Sequence, residues 1–125
     1  MTIAYWCVFI AILLPLLFTF IAKFTGRYGP KANLAPREYL EGLNGFRKRA
    51  NWAQMNTLES IPGFMAAVII AHQIGGQQQS IDTLAVSYIF LRMVYGFLYI
   101  ANKGILRSIV WTMALMCILA LFFTA

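Results

Sequence analysis

Long runs of apolar residues, separated by short polar stretches, dominate the chain and predict helices that cross a membrane. Residues 1–22, 60–81, 83–102 and 108–125 carry no charge or almost none. A hydrocarbon core about 30 Å thick requires about 20 helical residues, and each stretch comes close to that length. The pattern predicts four helices at about residues 3–24, 46–74, 81–102 and 105–124. We therefore expect one domain, residues 1–125, folded as an all-α four-transmembrane-helix bundle.

Short polar connections separate the predicted helices. Pro36 is expected in the first turn of a short helix that ends near Gly45, with Leu40 resting on the membrane surface. Ser80 is the expected N-cap of the third long helix, and Gly104 the tight turn before the fourth. The connections are too small to form a further domain.

Polar side chains interrupt the second predicted helix along one face. An arc of about 80° on a helical projection contains Arg49, Trp52, Asn56, Glu59 and Gly63. The apolar run at 61–74 would cover only about 21 Å, less than the hydrocarbon core, so a spanning helix must carry Asn56 and Glu59 into the bilayer. An ionisable group at that depth is costly and usually has a partner or a function.

The third predicted helix repeats this pattern. An arc of about 80° contains Tyr88, Arg92, Tyr95, Tyr99 and Lys103. Arg92 lies near the middle of its span and needs a counter-charge or water there. Because Glu59 is the only acidic residue inside any span, we predict that Glu59 and Arg92 form a buried pair.

Composition agrees with a membrane protein, since 61% of the residues are hydrophobic and 11% are charged. The net charge of +6 could suggest a nucleic-acid partner, but nine of the ten Lys and Arg residues lie in or beside the first and third connections. The second connection, residues 75–82, has none. This distribution predicts that both chain ends face outward and that the basic connections face the cytoplasm. We expect no nucleic-acid partner.

The sequence offers little for metal or redox chemistry. It has one histidine, His72, and two cysteines, Cys7 and Cys117, which both lie in predicted spans. These residues form neither a metal-binding set nor a disulfide framework, so no metal is expected and the cysteines are interpreted as small core residues. No charge precedes Lys23, so the first span lacks the basic start of a signal peptide and is expected to be retained.

The two polar faces allow two interpretations. Together with the basic residues at one end they describe a cleft, wet at the cytoplasmic side and aromatic toward the membrane, that suits an anionic water-soluble ligand meeting a lipid-dissolved one. Alternatively, Asn56, Glu59 and Arg92 hold the helices together, and the tyrosines form an interfacial belt. The pattern alone leaves both open.

Two short motifs carry a resemblance to a known family. The second helix contains Asn56-Thr-Leu-Glu59-Ser-Ile-Pro62, and the third contains Arg92-x-x-Tyr95-x-x-x-Tyr99. These motifs, and four spans of matching order and polarity, resemble the membrane-associated proteins in eicosanoid and glutathione metabolism, the MAPEG family. The segments at 49–72 and 106–111 are similar to a bacterial branch of it.

The resemblance implies a homotrimer in a bacterial inner membrane, with glutathione bound as co-substrate between subunits near the cytoplasmic side. It implies a transferase or peroxidase acting on lipophilic electrophiles. The residues that would hold glutathione by this resemblance are Asn56, Glu59, Arg92, Tyr95 and Tyr99. Arg107, near the start of the fourth helix, is the candidate catalytic residue, because a fixed cation lowers the pKa of a thiol and favours its thiolate.

Two positions depart from the family pattern: Arg107 lies one residue beyond the family spacing from Tyr99, and position 52 is the more important departure. Glutathione-handling members carry Arg four residues before the signature Asn, whereas this chain has Trp52. Arg49, one turn earlier on the same face, is the candidate replacement. The family also includes members that bind lipid without catalysis, so the alternative expectation is a non-catalytic lipid-binding or scaffold trimer.

Overall fold

The computed structural model describes residues 1–125, and all of its regular structure is helical. The elements are α1 (Ile3–Phe24), a 3-10 turn (Ala32–Leu34), α2 (Pro36–Glu41), α3 (Gly45–Gln73), α4 (Gln78–Ile100) and α5 (Gly104–Leu121). Three helices, α1, α4 and α5, are long and apolar enough to cross a membrane. The prediction of an all-helical chain is confirmed.

Small side chains allow the long helices to pack closely. Ala4, Ala11, Ala67 and Ala85, on α1, α3 and α4, are almost completely buried. Short side chains let helix backbones approach one another, which favours packing where lipid supplies no hydrophobic driving force. Helix α1 packs mainly on α3, while α5 packs mainly on α4. This order leaves a groove between α3, α4 and α5.

The two ends of the bundle differ, because the basic connections lie at only one of them. At one end the Thr2 and His72 side chains are hydrogen bonded at 3.1 Å, and the backbone N–H of Gln77 donates to the Thr124 carbonyl at 3.0 Å. There the Asp82 carboxylate accepts from the Ala4 backbone N–H at 2.9 Å, satisfying a donor at the start of α1. The connections 25–44 and 101–103 lie at the other end, hereafter the basic end. Both basic connections are therefore on the same side of the bundle.

Asn102, rather than Gly104, closes the turn between α4 and α5. Asn102 has a φ of 61°, and the backbone N–H of the next residue, Lys103, donates to the Leu98 carbonyl at 2.9 Å. Asparagine tolerates this left-handed conformation better than most residues, and the hydrogen bond satisfies a carbonyl at the helix end. Gly104 instead begins α5. Gly75, with a φ of 76°, has the corresponding role between α3 and α4.

The predicted N-cap of the third long helix is wrong. Helix α4 begins at Gln78, and Ser80 lies in its first turn, where its hydroxyl donates to the Gln77 side chain at 3.0 Å. The Gln77–Thr124 backbone hydrogen bond fixes the chain immediately before α4, so the helix starts earlier than the polar sequence suggested. The same bond ties the chain after Leu121 to this turn, and α5 ends there rather than near residue 124.

The connecting helix α2 is shorter than expected and contacts protein. It is capped by Gly42 and does not reach Gly45. Leu40 is only 7% exposed and packs in a cluster with Ala22 and Ala50, so the expectation that it rests on the membrane surface is wrong. Burial of Leu40 instead holds the connection against α1 and α3.

Candidate functional site

Three adjoining cavities lie along the groove between α3, α4 and α5. The mouth cavity, about 460 Å³, is lined by Asn56, Tyr95, Tyr99, Arg107, Ser108, Trp111 and Thr112. The inner cavity, about 290 Å³, is lined by Asn56, Glu59, Ser60, Gly63, Tyr88, Arg92, Trp111, Ala114, Leu115 and Ile118. The side cavity, about 320 Å³, is lined by Trp52, Met55, Asn56, Glu59 and Tyr99. Asn56 lines all three and is therefore the centre of the site.

Edge-to-face aromatic rings, with guanidinium groups over their faces, fix the geometry of the mouth cavity. The guanidinium carbon of Arg107 lies 4.3 Å from the centre of the Tyr99 ring. Tyr99 meets Tyr95 edge to face at 5.8 Å, and the guanidinium carbon of Arg92 lies 4.2 Å from the Tyr95 ring centre. Cations bind favourably over the faces of such rings. Arg107 on α5 is therefore held against α4 at the edge of the cavity.

Arg92 is buried, but its partners are not acidic. Its side chain is 1% exposed, and Nη2 donates to Asn56 Oδ1 at 2.9 Å and to Thr57 Oγ1 at 3.1 Å. Its Nε is buried without a hydrogen-bond partner. Two neutral side chains of α3 therefore accept hydrogen bonds from the charged guanidinium group of Arg92.

The predicted buried pair between Glu59 and Arg92 does not form in the structure. Glu59 is exposed on α3, although both residues line the inner cavity. The physical reason is side-chain direction. Successive helical residues differ by about 100°, so Thr57 faces α4 while Glu59 lies toward the outer edge of the same polar face.

Arg49 lies apart from the other predicted site residues. Its Nε donates to the carbonyl of Ile100 at 2.9 Å, where α4 ends. A cation at that position satisfies a carbonyl left without a helical donor and favours the negative end of the helix dipole. Arg49 lines none of the three cavities, so it joins α3 to α4.

Trp52 lies beside Tyr99 on the outer side of the site. Its ring centre lies 6.2 Å from that of Tyr99, and the Lys48 ammonium lies 5.6 Å from the Trp52 ring centre. Trp52 is 42% exposed and lines the side cavity but not the mouth cavity. At position 52 the protein therefore places an aromatic ring beside the site. The ammonium group near this ring belongs to Lys48, one helical turn earlier.

Several lining residues were not singled out from the sequence. Ser60 is hydrogen bonded to the Tyr88 hydroxyl at 2.6 Å in the wall of the inner cavity, and Trp111 lines both this cavity and the mouth cavity. Trp111 lies four residues after Arg107, and Ser60 lies four residues after Asn56. The i to i+4 spacing that places these pairs on one helical face was available in the sequence.

The arrangement favours binding of an anion beside an apolar molecule. Arg107 presents a permanent positive charge to a cavity lined by hydroxyl and amide groups. The inner cavity adds apolar side chains of α5 to the polar wall formed by α3 and α4. No group of three or more His, Cys, Asp or Glu side chains lies together as a metal site would require.

Comparison with known proteins identifies the family of the chain. No curated protein and no solved structure gives a significant match. The model of the MAPEG family matches residues 3–125, essentially the whole sequence. The chain therefore belongs to the MAPEG family and is a multi-pass integral membrane protein.

Proposed function

We propose that the protein is a glutathione-dependent transferase or peroxidase that acts on lipophilic electrophiles. The observation that carries the proposal is the mouth cavity, which gathers Asn56, Tyr95, Tyr99 and Arg107 from three helices. Its volume of about 460 Å³ falls within the usual range of about 300–1,000 Å³ for small-molecule sites. In this proposal Arg107 is the catalytic residue, because the nucleophile is a thiolate and a nearby fixed cation favours ionisation of the thiol.

The proposed transferase reaction forms one bond and breaks one. The thiolate sulfur of glutathione attacks an electrophilic carbon, and the leaving group departs with its bonding electrons. The tripeptide enters from the basic end, where the positive charge attracts its carboxylates. The lipophilic electrophile enters from the bilayer, along the apolar wall formed by Trp111 and Leu115.

The assembly that we propose is a homotrimer in which α3 is the fourth membrane-spanning helix. Along α3 an exposed strip contains Trp52, Met55, Leu58 and Glu59. Within a bilayer the carboxylate of Glu59 is costly unless protein or water covers it. A neighbouring subunit packed on this strip would cover Glu59 and complete the side of the site that the protomer leaves open.

The orientation that we propose places the basic end in the cytoplasm of a bacterial inner membrane, following the distribution of Lys and Arg. In a variant without Cys7 and Cys117, a cysteine introduced at Gln78 should react with an impermeant thiol reagent added from outside. Cysteine at Arg37, at the basic end, is the matched control and should react only after the membrane is opened. Labelling of position 78 solely from the cytoplasmic side would contradict the orientation.

The proposed activity is tested by titrating the purified oligomer with glutathione in a calorimeter and then measuring conjugation of a generic aryl halide. We expect saturable binding at millimolar or lower glutathione and enzyme-dependent conjugation. S-methylglutathione is the control, since it keeps the peptide but has no thiol to ionise. Absence of both binding and conjugation at millimolar glutathione would overturn the proposal.

A second candidate function, a non-catalytic lipid-binding or scaffold trimer, is favoured by one observation. Trp52 places an indole ring beside Tyr99, where glutathione-handling members of the family have arginine. Because Trp52 does not line the mouth cavity, the enzyme proposal predicts that Trp52→Arg changes glutathione affinity less than about tenfold, or about 1.4 kcal/mol. Calorimetry of both proteins checks this. Binding by Trp52→Arg alone would favour the second candidate.

A further inference from the structure

We propose that Arg92 is a positioning residue that fixes the side-chain amide of Asn56, so that its Nδ2 group faces the ligand and donates a hydrogen bond to it. The ligand group that meets Asn56 is then an acceptor, namely a carboxylate or peptide carbonyl oxygen. The proposal deepens the proposed function and depends on it for the identity of the ligand. It assigns Arg92 a role through Asn56 rather than contact with the ligand.

The hydrogen bonds of Arg92 fix which way the amide faces. A guanidinium group has donors and no acceptor, so the side-chain atom of Asn56 facing it must be the carbonyl oxygen. Nη2 of Arg92 lies 2.9 Å from Asn56 Oδ1. Rotating the amide by 180° would place its NH₂ group against the same guanidinium, bringing two donors together. Asn56 Nδ2 therefore faces away from Arg92.

Arg92 is itself held in place. The Thr57 hydroxyl donates its hydrogen to the Ala53 carbonyl at 2.7 Å, so its oxygen is free to accept from Arg92 Nη2 at 3.1 Å. Thr57 is 1% exposed, and the Tyr95 ring lies 4.2 Å from the Arg92 guanidinium carbon. These contacts leave the guanidinium group little freedom to turn away from Asn56.

The unpaired Nδ2 donor of Asn56 indicates which type of ligand group it can bind. Asn56 is half-buried and lines the mouth, inner and side cavities, and its hydrogen bond within the protomer uses Oδ1 and not Nδ2. The cation on Oδ1 polarises the amide and strengthens donation from the other side. Nδ2 is thus suited to a carboxylate or carbonyl oxygen of a peptide.

Substitutions at Asn56 separate its two hydrogen-bonding roles. Asn56→Asp keeps an acceptor for Arg92 but removes the donor to the ligand, whereas Asn56→Leu, of similar size, removes both. We expect Asn56→Asp to unfold at or above the wild-type temperature, yet to bind glutathione at least about tenfold more weakly. Asn56→Leu should lose both affinity and thermal stability. Glutathione affinity unchanged in Asn56→Asp would overturn the assignment of Asn56 as donor.

A double-mutant cycle tests whether Arg92 acts through Asn56. If it does, Arg92→Met weakens glutathione binding in the wild-type background but adds little to the loss in Asn56→Leu. Additive losses would mean that Arg92 contacts the ligand itself and would overturn the positioning role. Arg92→Lys, which keeps a cation, should recover part of the affinity.

Failure of this inference can be distinguished from failure of the proposed function. If the wild-type protein does not bind glutathione, the proposed function fails, and the Arg92–Asn56 contact is judged by thermal unfolding alone. Asn56→Asp should then remain clearly more stable than Asn56→Leu, because only aspartate offers Arg92 an acceptor. Equal unfolding temperatures for these two variants would reject the positioning role.

Discussion

Replacing Gly96 with alanine is expected to destabilise the bundle strongly, although the change adds only one methyl group. A Cβ atom at position 96 would lie 1.9 Å from Cζ and 2.3 Å from Cε1 of Phe18. Phe18 is completely buried and packs edge to face on Phe97, so its ring has little space to move. Overpacking of this kind costs about 1–3 kcal/mol, or more where neighbours cannot shift. Thermal unfolding of the detergent-solubilised protein measures the loss.

Gly63→Ala is the matched control, because Gly63 also lies inside a long helix but has no heavy atom within 4 Å of the corresponding Cβ position. Alanine is preferred over glycine in helices by about 1 kcal/mol, so this variant should be as stable as the wild type or more stable. Phe18→Leu in the Gly96→Ala background should restore part of the stability. Equal unfolding temperatures for the two alanine variants would contradict the close contact between α1 and α4.

Replacing Arg107 with alanine should lower the rate of conjugation by about a hundredfold or more, the range seen when a charge-stabilising group is removed from an active site. Arg107 lies over Tyr99 at the edge of the mouth cavity, and no other cation lines that cavity. If Arg107 stabilises the thiolate and other groups hold the peptide, as proposed, the loss should appear mainly in kcat. Steady-state kinetics with an aryl halide provides the measurement.

Lys103→Ala is the control for general electrostatic effects. Lys103 is an exposed cation at the same end of the bundle and lines none of the three cavities. Its removal should change kcat less than about threefold, since exposed charges are screened by solvent and salt. A loss as large as that in Arg107→Ala would indicate that the basic end acts by its net charge, and the specific role of Arg107 would then be wrong.

Helical periodicity accounts for much of what the sequence could predict. The apolar runs gave the positions of the long helices to within a few residues, because a membrane-spanning helix needs about 20 predominantly apolar residues. The two polar arcs placed Asn56 and Tyr95 on facing helices, and the structure brings them to one cavity. The apolar character of a segment and its helical spacing are local properties, so they can be recognised without knowing the fold.

The sequence could not predict in the same way which side chains of α3 bind Arg92. A helical projection shows that Asn56 and Glu59 share a face, but not which of them reaches Arg92. The direction and reach of each side chain decide this, and they favour Asn56 and Thr57. Similarly, the Gln54 side chain joins α3 to α1 by accepting from the Thr19 hydroxyl, a contact between distant positions that neither local sequence indicates.

The turns and short connections were also difficult to predict. Gly104 matched the common signal for a helix end, but Asn102 takes the left-handed conformation, because the preceding helix ends two residues earlier than expected. The apolar character of Leu40 alone suggested a place on the membrane surface. Its burial against Ala22 and Ala50 depends on how the connection folds back on α1 and α3.

Ultraviolet difference absorbance of the thiolate tests most directly the claim that Arg107 stabilises the thiolate of glutathione bound in the mouth cavity. Glutathione is added to the purified protein at neutral pH, where a free thiol with a pKa of about 8.5 is mostly protonated. We predict a saturable thiolate signal that follows the binding curve and disappears in Arg107→Ala, although calorimetry still shows bound glutathione. Glutathione bound by the wild-type protein without any thiolate signal, or an undiminished signal in Arg107→Ala, would contradict the claim.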